Sequence, residues 1–237
     1  MPSILIIQPD AEDPPERFEQ WLIESEFEVR LLRPYDGDQI PAMLAEDALI
    51  VLGGDMNANQ ITDYPWLADI QALLRRVVAE HRPILGICLG GQLLASAMGG
   101  SVESGSAGME AGVVTVRPRA GVGSDPLARG LPWPLAMITM HRDAITELPP
   151  GARWLGESAP YPHQFFRVGR LAWGVQFHPE VSPATYAGWA TYVHDTGEAL
   201  RRVVDGVTAV SENAEQIQSH SYALAKRFAS VVRHAIK

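Results

Sequence analysis

The sequence predicts an α/β fold: a doubly wound, mostly parallel sheet flanked by helices. Three observations predict it. Short continuous apolar runs recur over residues 3–8, 48–54 and 83–89, as strands buried on both faces do. Amphipathic helical patterns separate these runs, and strand–helix alternation builds parallel sheets. After residue 100 the long helical patterns stop. A series of short apolar segments follows, which predicts a smaller antiparallel sheet portion before helices return.

Taken in order, "SILIIQ" (3–8) reads as the first buried strand. "PPERFEQWLIESE" (14–26) sets Phe18, Trp21 and Leu22 at helical spacing, and "FEVRLL" (27–32) alternates as a strand does. "ALIVLGG" (48–54) is a strand stopped by two glycines. "YPWLADIQALLRRVVAEH" (64–81) is an amphipathic helix with Leu67, Ile70, Leu73, Leu74, Val77 and Val78 on one stripe. "PILGICL" (83–89) is the next strand and "GQLLASAMGG" (91–100) a short helix ending in glycines. Strands are expected at 111–118, 135–140, 152–158, 164–169 and 171–177. Ser182 and Pro183 suit the N-cap and first turn of a following helix. From 197 to 236 the pattern is helical, with Ile217, Leu224, Phe228, Val231 and Ala235 as its stripe. The expected division is a main domain over 1–195 and a C-terminal helical extension over 196–237. That stripe is expected to pack on the body, with partner docking as the alternative.

Composition narrows the function. At 237 residues, with 46% hydrophobic and 20% charged residues, the chain suits one globular domain with a real core. A formal charge of −9 argues against general nucleic-acid binding. The opening "MPSILIIQPD" lacks a basic stretch, and no apolar run nears the ~20 residues that would span a bilayer, so no membrane partner is expected. A single cysteine rules out an internal disulfide and fits a reducing cytoplasm.

That cysteine sits in "GICLG", as Gly86-x-Cys88-x-Gly90, at the predicted strand-to-helix turn. Flanking glycines let such a turn tighten, as around the nucleophile of a hydrolase elbow. The head of a helix favours thiolate over thiol, and the backbone N–H of Leu89 would point towards a developing oxyanion. A buried packing cysteine is the competing explanation. A base tips the balance: in "QFHPEVSP" His178 follows an apolar run, and Glu180 two residues on can point the same way and fix the imidazole. Cys88, His178 and Glu180 then supply nucleophile, general base and orienter. No histidine pair shows two-ligand helical spacing and no second thiol lies near, so neither a metal nor another cofactor is expected.

"GICLGGQLLA" together with "FHPE" resembles the class I (triad-type) glutamine amidotransferases, especially stand-alone proteins similar to the glutaminase domain of GMP synthase. The resemblance covers about residues 45–190 and implies a flavodoxin-like sheet. It implies that Cys88 attacks a glutamine side-chain amide to form a γ-glutamyl thioester. His178 would serve the leaving ammonia and then water, and Glu180 would hold His178. Backbone N–H groups of Gly54 and Leu89 would form the oxyanion hole. Gly53, Gln92, His141 and Asp143 would bind substrate. Alternatives remain at these positions: a plain turn for Gly53 and Gly54, a helix-surface position for Gln92, turn capping for Asp143. His163 is expected to be structural, and Met109 and Glu110 to lie in an ordinary solvated turn, with a loop bordering the site as the alternative. Asp55 stands where many relatives have proline, which leaves the loop's conformation open.

No pyrophosphate-binding loop or acceptor-substrate domain is recognisable. Either a separate synthetase subunit receives the ammonia, or the enzyme acts alone on a small γ-glutamyl compound as a peptidase or hydrolase. A non-catalytic regulatory subunit of the same fold is the alternative from outside enzymes.

Overall fold

The computed structural model describes residues 1–193 and 196–236. Among the described residues, eleven strands and six α-helices follow one another. The first part runs β1 (Ser3–Ile7), α1 (Glu16–Glu24), β2 (Glu28–Leu32), β3 (Ala48–Val51), α2 (Trp66–Ala79), β4 (Ile84–Ile87) and α3 (Leu89–Ala97). The strand-rich part holds β5 (Ser101–Ser104), β6 (Glu110–Pro118), β7 (Leu135–His141), β8 (Asp143–Glu147), β9 (Arg153–Glu157), β10 (Phe165–Val168) and β11 (Ala172–Val175). Helices α4 (Pro183–Tyr192), α5 (Gly197–Glu212) and α6 (Ala214–Ala235) close the chain.

Nine strands form one sheet in the order β2-β1-β3-β4-β11-β10-β9-β6-β7. Pairings from β2 to β11 are parallel, and those from β11 to β7 antiparallel. The antiparallel portion therefore continues the parallel sheet, and a separate two-stranded sheet pairs β5 with β8. The parallel strands are apolar throughout because both faces are covered. In β1, Ile4 and Ile6 join a core layer with Phe18 and Leu22 of α1 and Phe228 of α6. Leu5 and Ile7 point the other way, into a layer with Leu67, Ile70 and Leu74 of α2 and Leu93 of α3.

The predicted stripe of α2 is the set of residues that the helix buries. Ser182 caps α4 as expected, its side chain accepting the Thr185 N–H. Helix α3 starts at Leu89 rather than 91, so Leu89 is its first residue and Cys88 its N-cap. The tail is two helices meeting at Asn213. Of its predicted stripe, Ile217, Leu224, Phe228 and Val231 are buried and Ala235 is exposed. Leu224 and Phe228 share a core layer with Leu135 and Met137 of β7 and with Trp21 of α1. His220 Nδ1 accepts the Ala136 N–H at 2.9 Å, and burial pulls its pKa down. The expected boundary at 195/196 and the final residue fall on 194, 195 and 237, outside the described residues.

Register decides where the site falls. Ile7 pairs with Val51, Val51 with Gly86 and Gly86 with Gly174. The carboxyl ends of β1, β3, β4 and β11 are thus level, and the segments leaving them emerge at one edge. In open α/β sheets that edge, beside the point where strand order reverses, is where ligands bind.

Candidate active site

Cys88 leaves β4 at this edge with φ 47° and ψ −108°, a left-handed backbone that a side-chain-bearing residue adopts only at a strain. Its N–H donates to Val175 O at 2.8 Å and its carbonyl accepts the Gln92 N–H at 2.9 Å, so the last strand bond and the first helix bond grip one residue. Gly90 makes this turn possible. A Cβ there would stand 2.1 Å from Val51 O, and the Gly90 N–H donates to Leu52 O at 3.1 Å. As first residue of α3, Leu89 has a backbone N–H with no acceptor inside the helix.

His178 and Glu180 follow β11. The His178 N–H donates to Ile138 O at 2.8 Å, which pins the segment to β7. His178 Nδ1 stands 2.7 Å from Glu180 Oε1, and both side chains are buried. Nδ1 engaged in this way leaves Nε2 for the cysteine. Cys88 and His178 line the same cleft. Burial alone would pull His178 down, but Glu180 foremost, with the charge on Cys88, outweighs it and holds the imidazole well above the usual histidine range. Trp189 of α4 lies edge-on to the imidazole, ring centroids 4.9 Å apart, and its indole N–H donates to Glu12 O at 2.6 Å.

A cleft of about 680 Å³ opens over Cys88 and His178. Gly54, Gln92, His141 and Asp143 also line it. Gln92 is buried, which overturns the helix-surface alternative. Its amide donates to Asp143 O at 2.9 Å and Gln176 Oε1 at 3.4 Å. His141 Nδ1 stands 2.9 Å from Asp143 O. The Asp143 carboxylate accepts from Asn57 Nδ2 and from Ser104 Oγ, the latter at 3.3 Å. Gly53 lies behind the wall, where a Cβ would meet Asp13 and His178. His163 Nδ1 stands 2.7 Å from Ile145 O, away from the cleft lining, as a structural residue would. The Asp55 N–H donates to Asp10 Oδ2 at 2.9 Å, which ties the Gly-Gly loop to the segment after β1.

One expectation is corrected. Glu110 opens β6, is buried, and accepts from Gln164 Nε2 at 2.7 Å and Ser158 Oγ at 3.0 Å, with His141 Nε2 at 2.8 Å. Met109 is buried beside the cleft. Neither lies in a solvated turn, because partners distant in sequence enclose them. Sequence reasoning also missed Asp13, Gln176 and Trp189. Gln176 donates to Cys88 Sγ at 3.6 Å, and its only signal was its place in "QFHPE". Asp13 is buried with Oδ2 3.8 Å from His178 Nδ1. Among the described residues, Asp13, His178 and Glu180 form the one cluster with metal-ligand atoms all within 4.8 Å. The hydrogen bond between His178 Nδ1 and Glu180 already uses two of those atoms.

Fold and site define a class: a doubly wound α/β protein with a cysteine on a strained turn, beside a buried histidine–carboxylate pair, at the carboxyl edge of its sheet. The profile of the family "Glutamine amidotransferase class-I" matches residues 16–191. Gamma-glutamyl peptidase 5 of Arabidopsis thaliana is 29% identical over 222 residues, covering 89% of this chain and 81% of that protein. One of the subunits of the glutamine-hydrolyzing GMP synthase of Thermococcus kodakarensis is 34% identical over 146 residues, covering 61% and 71%. The crystal structure of a glutamine amidotransferase from Thermotoga maritima superposes with a TM-score of 0.81 at 26% identity, covering 96% and 98%. The chain belongs to the class I glutamine amidotransferase family. Among the described residues no helix is long and apolar enough to cross a membrane.

Proposed function

We propose that the chain hydrolyses the γ-amide of glutamine through Cys88, His178 and Glu180. The observation that carries this reading is the buried 2.7 Å contact of His178 Nδ1 with Glu180 beside a cysteine at φ 47°. The Cys88 sulfur, with its proton on His178, attacks the amide carbon, and the backbone N–H groups of Gly54 and Leu89 receive the oxyanion. The carbon–nitrogen bond breaks as His178 passes its proton to the departing ammonia, which leaves a γ-glutamyl thioester on Cys88. Water then adds to the thioester, giving a proton to His178. The carbon–sulfur bond breaks and glutamate leaves. Glu180 holds the imidazole through both steps. Gln92, His141 and Asp143 shape the pocket for the glutamyl group, with Gly53 behind its wall, and a separate synthetase subunit would receive the ammonia.

A second reading, hydrolysis of γ-glutamyl peptides with the same chemistry, is favoured by the cleft itself. Pockets of this size hold ligands larger than one amino acid, and Met56, Met140, Trp189 and Tyr192 give it apolar walls. Purified chain offered glutamine and γ-glutamyl dipeptides separates the two: ammonia from glutamine supports the first, and free amino acid from dipeptides alone supports the second. Cys88→Ala, folded by circular dichroism, is expected to lose both activities. Turnover by this variant would overturn both readings.

A further inference from the structure

The segment after β1 places a second buried carboxyl against the histidine–glutamate pair. Asp13 is 3% exposed and Glu180 fully buried. Asp13 Oδ1 and Glu180 Oε2 have no hydrogen-bond partner. Asp13 Oδ2 stands 3.8 Å from His178 Nδ1, against 2.7 Å for Glu180 Oε1. Asp13 Oδ2 also packs against Gly53, 1.9 Å from where a Cβ on that residue would stand.

Two ionised carboxylates here would repel each other and leave two buried oxygens unpaired. One proton between them relieves both problems, because a carboxylic O–H donates where a carboxylate only accepts. The imidazole decides which side holds it: its closer partner stays the anion, so the proton belongs to Asp13. The groups facing Asp13 are His178 and Glu180 after β11, Asp10 on its own segment, and Cys88 across the imidazole; Arg17 of α1 faces Glu180. Burial foremost, opposed by His178 and helped by Glu180 and Asp10, holds the Asp13 carboxyl well above the usual carboxylate range.

We propose that Asp13 is a positioning residue: a neutral carboxyl that donates its O–H to Glu180 Oε2 and so keeps Oε1 on His178 Nδ1. The proposal rests on the reading of His178 as the proton carrier. Its test compares wild type, Asp13→Ala and Asp13→Asn, each checked for folding, by pH profile of γ-glutamyl hydrolysis and by infrared difference spectroscopy at neutral pH. Asp13→Ala is expected to lower kcat about tenfold with little change in KM, since it leaves a buried charged acceptor unpaired. Asp13→Asn, whose amide N–H replaces the O–H, is expected to recover most of that loss and keep the alkaline limb in place. The carbonyl stretch of a protonated carboxyl should be present in wild type and absent from Asp13→Asn. Three results would overturn the proposal: Asp13→Asn as slow as Asp13→Ala with its alkaline limb moved to lower pH, no protonated-carboxyl band, or chelator-sensitive turnover restored by a divalent cation. The first would make Asp13 an anionic counter-ion, and the last would put a metal between the carboxyls. If wild type turns over no γ-glutamyl substrate, the functional reading fails, and the infrared band still decides the state of Asp13.

Discussion

Replacing Gly90 by alanine tests the elbow without touching any reacting atom. The added Cβ would stand 2.1 Å from Val51 O, 2.7 Å from Val51 C and 3.0 Å from Val51 Cβ, whereas ordinary contact begins at 3.4 Å. The nearest obstacle is backbone of a buried strand, so no side chain can swing aside. The head of α3 must therefore move about 1 Å from β3, a displacement of the size that costs about 100-fold in rate when it misplaces a reacting group. Cys88 moves with it, because the Gly90 N–H on Leu52 O is part of what seats the turn. Overpacking of this kind also destabilises by about 1–3 kcal/mol. The assay is the rate at which a glutamine-mimicking electrophile labels Cys88, measured with thermal denaturation on the same sample. Gly188→Ala, with nothing within 4 Å of its added carbon in the middle of α4, serves as the stability control and is expected to gain up to about 1 kcal/mol. Wild-type labelling and stability in Gly90→Ala would refute the claim that β3 dictates the cysteine's position.

Two pH dependences follow from the same cluster. His178 is raised by Glu180 foremost, and by Cys88, against the pull of burial, so it keeps its proton above its ordinary 6.5. Stability from this charged form is fully present below 6.5 and is lost as pH rises through the native value. The proposed mechanism needs the imidazolium for the leaving amine, so activity is expected to fall over the same range. Glu180→Gln should move that alkaline limb to lower pH, and an unmoved limb would contradict the assignment. Asp13 is raised as well, so its contribution is complete below 3.8 and declines as pH rises through its native value. The stability of Asp13→Asn relative to wild type should therefore climb with pH above about 4, by up to about 1.4 kcal/mol per unit. Denaturant melts across pH check this, and a flat difference would mean that Asp13 ionises normally in the native protein.

The parallel half of the fold was legible because its physics is local. Residues such as Ile4, Leu5, Ile6 and Ile7 are apolar on both faces, and a strand covered on both faces leaves an unbroken run. The stripe of α2 was legible for the matching reason of helical period. Strands β5 and β8 escaped because "SVES" and "DAITE" are short, mix polar with apolar residues, and pair only with each other. At the site, Cys88 with its glycines and His178 with Glu180 were legible because each group lies within a few residues. Asp13 and Glu110 were not. Their burial depends on Glu180 and on His141, Gln164 and Ser158, partners brought near only by the folded sheet. An acidic residue in "AEDPPE" or "GMEAG" carries no mark of that in the sequence.

The proposed mechanism requires Cys88 to carry the γ-glutamyl group. Enzyme mixed with isotopically labelled glutamine or γ-glutamyl dipeptide, quenched in acid within one turnover and digested, tests it by mass spectrometry. Label is expected on the peptide that contains Cys88, held as a hydroxylamine-sensitive thioester and absent from Cys88→Ala. Turnover with that peptide unmodified, or label on another residue, would contradict it.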